Sequence, residues 1–494
     1  MIEQISIDLV DLNLPSLFPM MIAIIGALII LCIDLFTKKL NKSLYAMLTI
    51  LVLLIDLSAV VGYSGSTRGF FNVMFIDGIA IMTQIIILVS SILFIILSLS
   101  KQKLHEYSYP EYFSLFLFMV AGLQFVVTSD NLILILVGLE TAAMALYVLI
   151  AMHNSDKSTE AAIKYFTMGA VATAFFAFGS MIFYALTGSV ELGQISASLV
   201  ASDFANYPFV LVGVVFILAG LGFKLSLVPF HTWVPDVYEG SSAALAGYMS
   251  IVPKIAAFVV ALRFFEIFVS VDNSWVEIIL YILVVATMTI PNMAALVQKD
   301  VKRMLGYSSI AHVGFVMAAI LVGTTQSTEG LFLYWILYSF TNLGAFTMLW
   351  IHRTKKSYGY QSDYPFQKYS GLVKTSPILA VVMGIFLLSL AGIPPFSLFW
   401  AKMFLLSATI NAGYILLAVI MALNSAIAVY YYLKLIVYMF LKDPIKDDTI
   451  LIMRNTNRTF FTLIGLTVFL TLTSVFYIDS LLEIISTYVQ ISRY

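Results

Sequence analysis

Charged residues are scarce in this chain of 494, so the few buried in long apolar runs mark where chemistry can be done. Glu140 falls about nine residues into one such run, VGLETAAMALY, which at 1.5 Å per helical residue is ~13 Å below a membrane surface. Lys224 and Lys254 lie at similar depth in GFKLSLVPF and IVPKIAAF, and Lys402 lies in LFWAKMFLL. His312 stands in SSIAHVGF, with Ser308 and Ser309 a turn before it. The chemistry this set offers is proton exchange. A buried carboxylate binds its proton according to whether a lysine is near, and a buried lysine responds to its partner in the same way. Any single pair reads equally well as a static strut between helices. One carboxylate and several lysines on different spans make a row, which favours a path. His312 reads either as a relay near neutral pH or as a helix–helix hydrogen bond.

The elements that position these groups are interrupted helices. Pro229 follows Lys224 and cannot donate to the carbonyl of Leu225, and Gly392, Pro394 and Pro395 precede Lys402 and free the carbonyls of Leu390 and Ala391. Irregular backbone at membrane depth survives only where protein or a water-filled cavity satisfies it, so both breaks point to a hydrated interior. Secondary candidates are His231 and Asp236, as a water-gathering mouth or as capping groups. Lys434 is either functional or snorkels to the surface. Lys164 can reach the inner surface or the path. The aromatic residues are expected to be mostly lipid-facing or interfacial.

The composition requires a membrane. It is 61% hydrophobic and 11% charged, with a mean hydropathy of +1.00, outside the range of soluble domains. Windows of ~20 apolar residues give about fourteen spans, among them long ones around 208–235 and 374–407 that proline interrupts. The expected fold is an all-α polytopic membrane protein. Lys38, Lys39, Lys42, Lys101, Lys103, Lys157, Lys299, Lys302, Arg303, Arg353, Lys355, Lys356, Lys368, Lys442, Lys446, Arg454 and Arg458 fall in loops after odd-numbered spans. Arg68, Arg263 and Arg493 fall on the other side. By the positive-inside rule both termini are then expected outside. The polar connection from Gly188 to Tyr207 has no Lys or Arg, in keeping with an outer position. The acidic start, MIEQISIDLVDLN, is not the basic region of a cleaved signal peptide. A net charge of −1 gives no field for nucleic acid. The single cysteine, Cys32, allows no intrachain disulfide or cysteine-held cluster and reads as a small packed hydrophobe. No GxGxxG, Walker loop or CxxCH occurs, so neither nucleotide nor haem attachment is signalled and no metal site is expected.

A faint internal repeat runs through the chain. Ser158-Thr159-Glu160 and Ser327-Thr328-Glu329 each open a span, a lysine accompanies each proline break, and Lys254 and Lys434 follow in the next spans. The offsets fall near ~170–180 residues and about five spans, so the copies enter from opposite sides, as in inverted-topology transporters.

GFKLSLVPFHTWVPDVYEG, YMSIVPKIAAF, NMAALVQKDVKRMLGYSSIAHVGF and LSLAGIPPFSLFWAKMFL together resemble the antiporter-like membrane subunits of respiratory complex I, relatives of the Mrp-type cation/proton antiporters. Pro253-Lys254 stands where several branches of that family usually carry a histidine-containing sequence. The likeness implies two inverted five-helix repeats, two discontinuous helices and a central hydrophilic axis. Its expected divisions are 1–112 as an N-terminal three-span segment, 113–270 and 271–440 as the repeats, and 441–494 as a last loop and span. It also implies that Glu140 is the fifth-span glutamate, Lys224 the broken-helix lysine, Lys254 the connecting lysine, His312 a polar-axis residue and Lys402 the lysine of the second half-channel. Ser241-Ser242-Ala243-Ala244 and Ala401 depart from the family pattern without removing a charge. NADH or another electron donor, flavin, iron–sulfur clusters and quinone are then expected on partner subunits. Neighbours would include an antiporter-like subunit M and small subunits such as K and J. The other functions weighed are an Na⁺ or K⁺/H⁺ antiporter without redox partners and a dry spacer between subunits.

Overall fold

The computed structural model describes residues 12–36, 41–71, 73–99, 106–204, 207–269, 274–354, 364–444, 452–454 and 458–492. Of the loop charges named above, Lys38, Lys39, Lys101, Lys103, Lys355, Lys356, Lys446 and Arg493 lie outside these residues. In hydrocarbon each peptide group must be satisfied within its own segment, and this chain answers almost entirely with helices. They are α1 Phe18–Phe36, α2 Lys42–Val61, α3 Gly78–Ser98, α4 Pro110–Val127, α5 Leu132–Ala151, α6 Asp156–Thr187, α7 Leu192–Ala201, α8 Tyr207–Leu225, α9 Trp233–Gly240 and α10 Ala243–Met249. They continue with α11 Val252–Val269, α12 Ser274–Leu296, α13 Val301–Val322, α14 Thr325–Ile351, α15 Leu372–Thr375, α16 Pro377–Ala391, α17 Ser397–Asn411, α18 Ile415–Leu441 and α19 Arg458–Ile491. Side chains of Asn41, Asp77, Asn131, Ser155 and Asp300 accept from first-turn amides and so fix where five of the long helices begin.

Among the described residues, thirteen helical stretches are long and apolar enough to cross a membrane, α10 and α11 together making one of them. A further crossing is divided into α16 and α17, each of 15 residues and too short to span alone. The other proline-broken crossing is α8 with α9, where the helix stops at Leu225 and Ser226 turns into the left-handed region at φ 66°. Gly392 makes the matching turn at φ 83° at the end of α16, a conformation that suits a residue without a side chain. A third interruption was not expected. The eighth span bends at Ser250 and Ile251, between α10 and α11, because Pro253 has no N–H to give to Met249.

Three other elements depart from the sequence reading. The polar connection before Tyr207 contains α7, whose Leu192, Ile195 and Leu199 form one buried stripe. The last span runs to Ile491 rather than ending near residue 479, with Ile485 and Val489 buried. Its end packs on the start of α3, where a Cβ on Gly78 would lie 1.9 Å from the carbonyl oxygen of Tyr488 and where the Ile79 amide donates to Ser492 Oγ at 2.7 Å. Cys32 is exposed on α1 rather than packed, because α1 buries only its Pro19, Met20, Ala23, Gly26, Ala27 and Ile30 face.

The centre of the molecule is formed by α10–α11, α13 and α14. Across the apolar window of each, 89% of residues are buried, against 33% for α2 and 39% for α18. Lys254 and His312 therefore sit on the helices most enclosed by the rest of the chain. The largest enclosed side chains are aromatic, among them Trp335, Tyr334, Tyr338 and Tyr432, so a share of the aromatics lies inside the bundle and not at its lipid boundary. A buried polar axis needs hydroxyl and indole donors, and tyrosine and tryptophan supply them on an apolar body.

Candidate functional site

Glu140 on α5 and Lys224 in the last turn of α8 form an ion pair, Nζ to Oε1 at 3.2 Å, with side-chain exposures of 28% and 10%. The same carboxylate oxygen accepts from the hydroxyl of Thr173 on α6. Lys224 owes its place to the break that follows it. The backbone released there is taken up by side chains: Trp233 Nε1 donates to the Phe223 carbonyl at 3.0 Å, and the Val228 amide donates to Thr287 Oγ1 of α12 at 3.0 Å. A small cavity of about 20 Å³, room for one water, is lined by Lys224, Tyr165, Trp233 and Pro253, the neighbour of Lys254.

Lys254 is buried on α11 and donates to Ser309 Oγ of α13 at 2.8 Å. One turn further along α13, His312 meets the Tyr334 hydroxyl at Nδ1, 2.6 Å away, and the Tyr432 hydroxyl at Nε2, 3.1 Å away. With two amphoteric hydroxyls, the imidazole can hold its proton on either nitrogen. Lys254 and Lys402 both lie within electrostatic reach of the ring. A second cavity of about 20 Å³ joins His312, Tyr334, Lys402, Asn292, Asn424 and Tyr431.

Lys402 on α17 donates to the carbonyls of Ala391 and Leu390 at 3.0 and 3.3 Å. These are the acceptors that the Pro394-Pro395 break leaves without helical donors. A Cβ on Gly392 would also lie 2.7 Å from Lys402 Cδ and 3.0 Å from its Nζ, so a larger residue there would displace the lysine. Among the described residues neither Lys254 nor Lys402 forms an ion pair. Lysines held by neutral acceptors in a low-dielectric interior are suited to exchanging a proton rather than to cementing helices.

Each interruption is met by an indole. Trp233 serves the first, Trp335 Nε1 donates to the Ile251 carbonyl at 3.0 Å in the second, and Trp400 Nε1 approaches the Pro395 carbonyl at 3.4 Å in the third. A tryptophan donor satisfies a loose carbonyl without bringing in a charge.

The remaining candidates lie elsewhere. Lys164 pairs with Glu160 at 2.6 Å and Asp236 at 3.0 Å. Asp236 also pairs with Arg303, and Arg303 with Glu239, which reaches Lys157 at 3.0 Å. Together they make a charge network at one rim of the bundle, so Asp236 bridges elements instead of capping one. Burial raises the proton affinity of Glu239, but hydrogen bonds from Arg303 and Lys157 outweigh it and hold the carboxyl below its ordinary value of 4.5. His231 is half-buried in the turn between α8 and α9. Lys434 donates to the carbonyls of Leu296 and Gln298 at 3.4 and 3.1 Å and so closes the end of α12. It joins neither the axis nor the rim network.

Several polar residues escaped sequence reading. Thr173, Tyr334 and Tyr432 are common residue types in apolar helices, and only their proximity to Glu140 and His312 gives them meaning. Asn292 donates to Asn424 at 3.2 Å and accepts from Tyr431 at 2.9 Å, while Asn424 donates to Thr289 at 3.1 Å. Buried amides on α12 and α18 were a legible signal. Asp56 is a different case: a carboxylate in an apolar run and so visible in the sequence, it is fully buried on α2 and met by Gln124 Nε2 of α4 at 3.0 Å from both carboxyl oxygens. No group of three or more His, Cys, Asp and Glu that could hold a metal ion occurs among the described residues.

Paired lysines at broken transmembrane helices, with a carboxylate and a buried histidine between central spans, define a class of ion-translocating membrane proteins. The family model described as "NADH:quinone oxidoreductase/Mrp antiporter, TM" matches residues 129–428, more than half the chain, and the chain belongs to that family. Within it, the chain is similar to NADH-quinone oxidoreductase subunit N of Sulfurimonas denitrificans, 59% identical over all of both chains. The subunit N of a Sulfurovum species is 53% identical over the same extent. Among solved structures, it resembles a chain of respiratory complex I from Thermus thermophilus at 26% identity and a TM-score of 0.76, covering 94% of this chain and 99% of that one.

Proposed function

We propose that this chain is the proton-translocating subunit N of a quinone-reducing complex I in the inner membrane, with both termini on the outer side. The observation that carries the reading is the Glu140–Lys224 pair beside a broken helix, continued by Lys254, His312 and Lys402 through two one-water cavities. Quinone reduction on partner subunits shifts the pair. Lys224 then gives up or takes a proton, and that proton passes by way of Lys254 and His312 to Lys402. The electron donor, flavin, iron–sulfur clusters and quinone belong to the partners, among them an antiporter-like subunit M and small subunits such as K and J. This chain supplies the lysines, the carboxylate and the histidine, and in this sense it is a translocase subunit without a redox centre.

The division into 1–112, 113–270, 271–440 and 441–494, with the middle two as inverted repeats, belongs to the same proposal. Matching end devices support it. Ser155 and Ser158 form a reciprocal capping box at the start of α6, and Thr324 and Ser327 form its counterpart at the start of α14.

The test is proton uptake per quinone reduced in membrane vesicles. Lys224→Ala and Glu140→Ala are expected to assemble and to pump less, and a wild-type ratio in both removes the reading. The antiporter alternative is tested in vesicles holding this chain alone: a sodium-dependent pH change there, with no loss of pumping in the variants, supports exchange instead.

A further inference from the structure

The proton reading requires Glu140 to hold its charge while Lys224 turns toward it and away from it. Its oxygen Oε1 faces two donors, Lys224 Nζ from α8 at 3.2 Å and the hydroxyl of Thr173 from α6. The same hydroxyl lies 3.0 Å from the Gly169 carbonyl, one turn back on its own helix. A threonine hydroxyl has one proton to donate, so it serves one of these acceptors at a time.

The packing around Thr173 holds it in this choice. A Cβ on Gly169 would lie 2.2 Å from the Tyr147 hydroxyl of α5, an oxygen that is buried and meets no hydrogen-bond partner among the described residues. Glycine at 169 is therefore what lets α6 close on α5, and that approach puts Thr173 opposite Glu140. The titratable groups facing Glu140 are Lys224 on α8, Tyr147 on α5 and Tyr165 on α6. Lys224 is the one cation among them, and when it swings away Thr173 is the donor already in hydrogen-bond contact with the carboxylate.

We propose that Thr173 is a positioning residue for the Glu140 proton. Its hydroxyl donates to Glu140 while the carboxylate is charged and turns back to the Gly169 carbonyl when the carboxyl is neutral. The charged state then keeps a donor through the interval in which Lys224 is displaced, and the neutral state is not burdened with an unsatisfied hydroxyl. This assignment rests on the proton-translocating reading and deepens it.

The experiment uses the intact complex in sealed membrane vesicles and reads protons taken up per quinone reduced as a function of pH. The variants are Thr173→Val, which keeps the shape and removes the hydroxyl, Thr173→Ser, which restores it, and Glu140→Gln. Losing one hydrogen bond to a charged acceptor is expected to move the pH midpoint of pumping in Thr173→Val toward alkaline pH by about one unit, tenfold in proton concentration. Thr173→Ser is expected to return it. A wild-type midpoint in Thr173→Val, or an equal displacement in Thr173→Ser, overturns the proposal while a reduced ratio in Glu140→Gln leaves the pump reading standing. A wild-type ratio in Glu140→Gln removes both.

Discussion

Neutralising Glu140 and Lys224 together separates a strut from a proton site. Two unit charges 3.2 Å apart attract by about 5 kcal/mol at an effective dielectric of 20. Desolvation offsets part of this, and removing one partner of a buried pair costs about 3–5 kcal/mol because the other charge is left uncompensated. Glu140 is 28% exposed, so the lower end, about 3 kcal/mol, is the appropriate expectation. Glu140→Gln and Lys224→Met are each expected to lower the melting temperature of the purified complex by a few degrees. The double variant leaves no stranded charge, and its melting temperature should recover most of the loss. Pumping should not recover, because neither replacement can exchange a proton. Thermal unfolding of the purified complex and proton uptake per quinone in vesicles report the two quantities separately. Recovery of both in the double variant would falsify the proton-site reading and leave a strut.

Three further outcomes are expected. Gly392→Ala strains a residue at φ 83° by ~1–2 kcal/mol and pushes the tip of Lys402 off its two carbonyls, so pumping should drop about tenfold; an unchanged ratio would show that those carbonyls do not hold the lysine in place. Trp335→Phe keeps the ring packed edge-on against Phe258 but leaves the Ile251 carbonyl without its indole donor, and should lower stability by ~1 kcal/mol, read by thermal unfolding, while Trp335→His, which can still donate, loses less. At the rim, Glu239 holds its proton less tightly folded than unfolded, so its contribution is complete above its ordinary value of 4.5 and fades as pH falls through the lower folded value. The melting-temperature gap between wild type and Glu239→Gln should be constant near neutral pH and close in acid; a gap that widens in acid contradicts the assignment.

Much of the axis was legible because burying a charge in hydrocarbon is costly enough to make each instance conspicuous. Glu140, Lys224, Lys254, His312 and Lys402 stood out as polar exceptions in apolar runs, and proline chemistry alone indicated that the carbonyls of Leu390 and Ala391 would be left free beside Lys402. The crossings were legible for the same reason, since a span must satisfy its own backbone over a fixed length. Lys164 and Lys434 were ambiguous for the opposite reason: near a span end, a long side chain can reach several environments, and their ion pairs and carbonyl contacts depend on which helices lie alongside.

The number of spans, the row of ionisable groups and the two proline breaks were determined by the chain itself, through hydropathy and the missing N–H of proline. Only the tertiary structure decided that Lys224 faces Glu140, that Thr173 shares the same carboxylate oxygen, and that His312 is set between Tyr334 and Tyr432. It also decided that Trp335 supplies the indole donor at the bend beside Lys254. These contacts join residues far apart in the chain, and apart from the Glu140–Lys224 pair they bring in threonines, tyrosines and tryptophans, which carry no charge to betray them. Burial cost is a property of one residue and can be read locally, whereas a hydrogen bond belongs to a pair and exists only once packing has brought the two together.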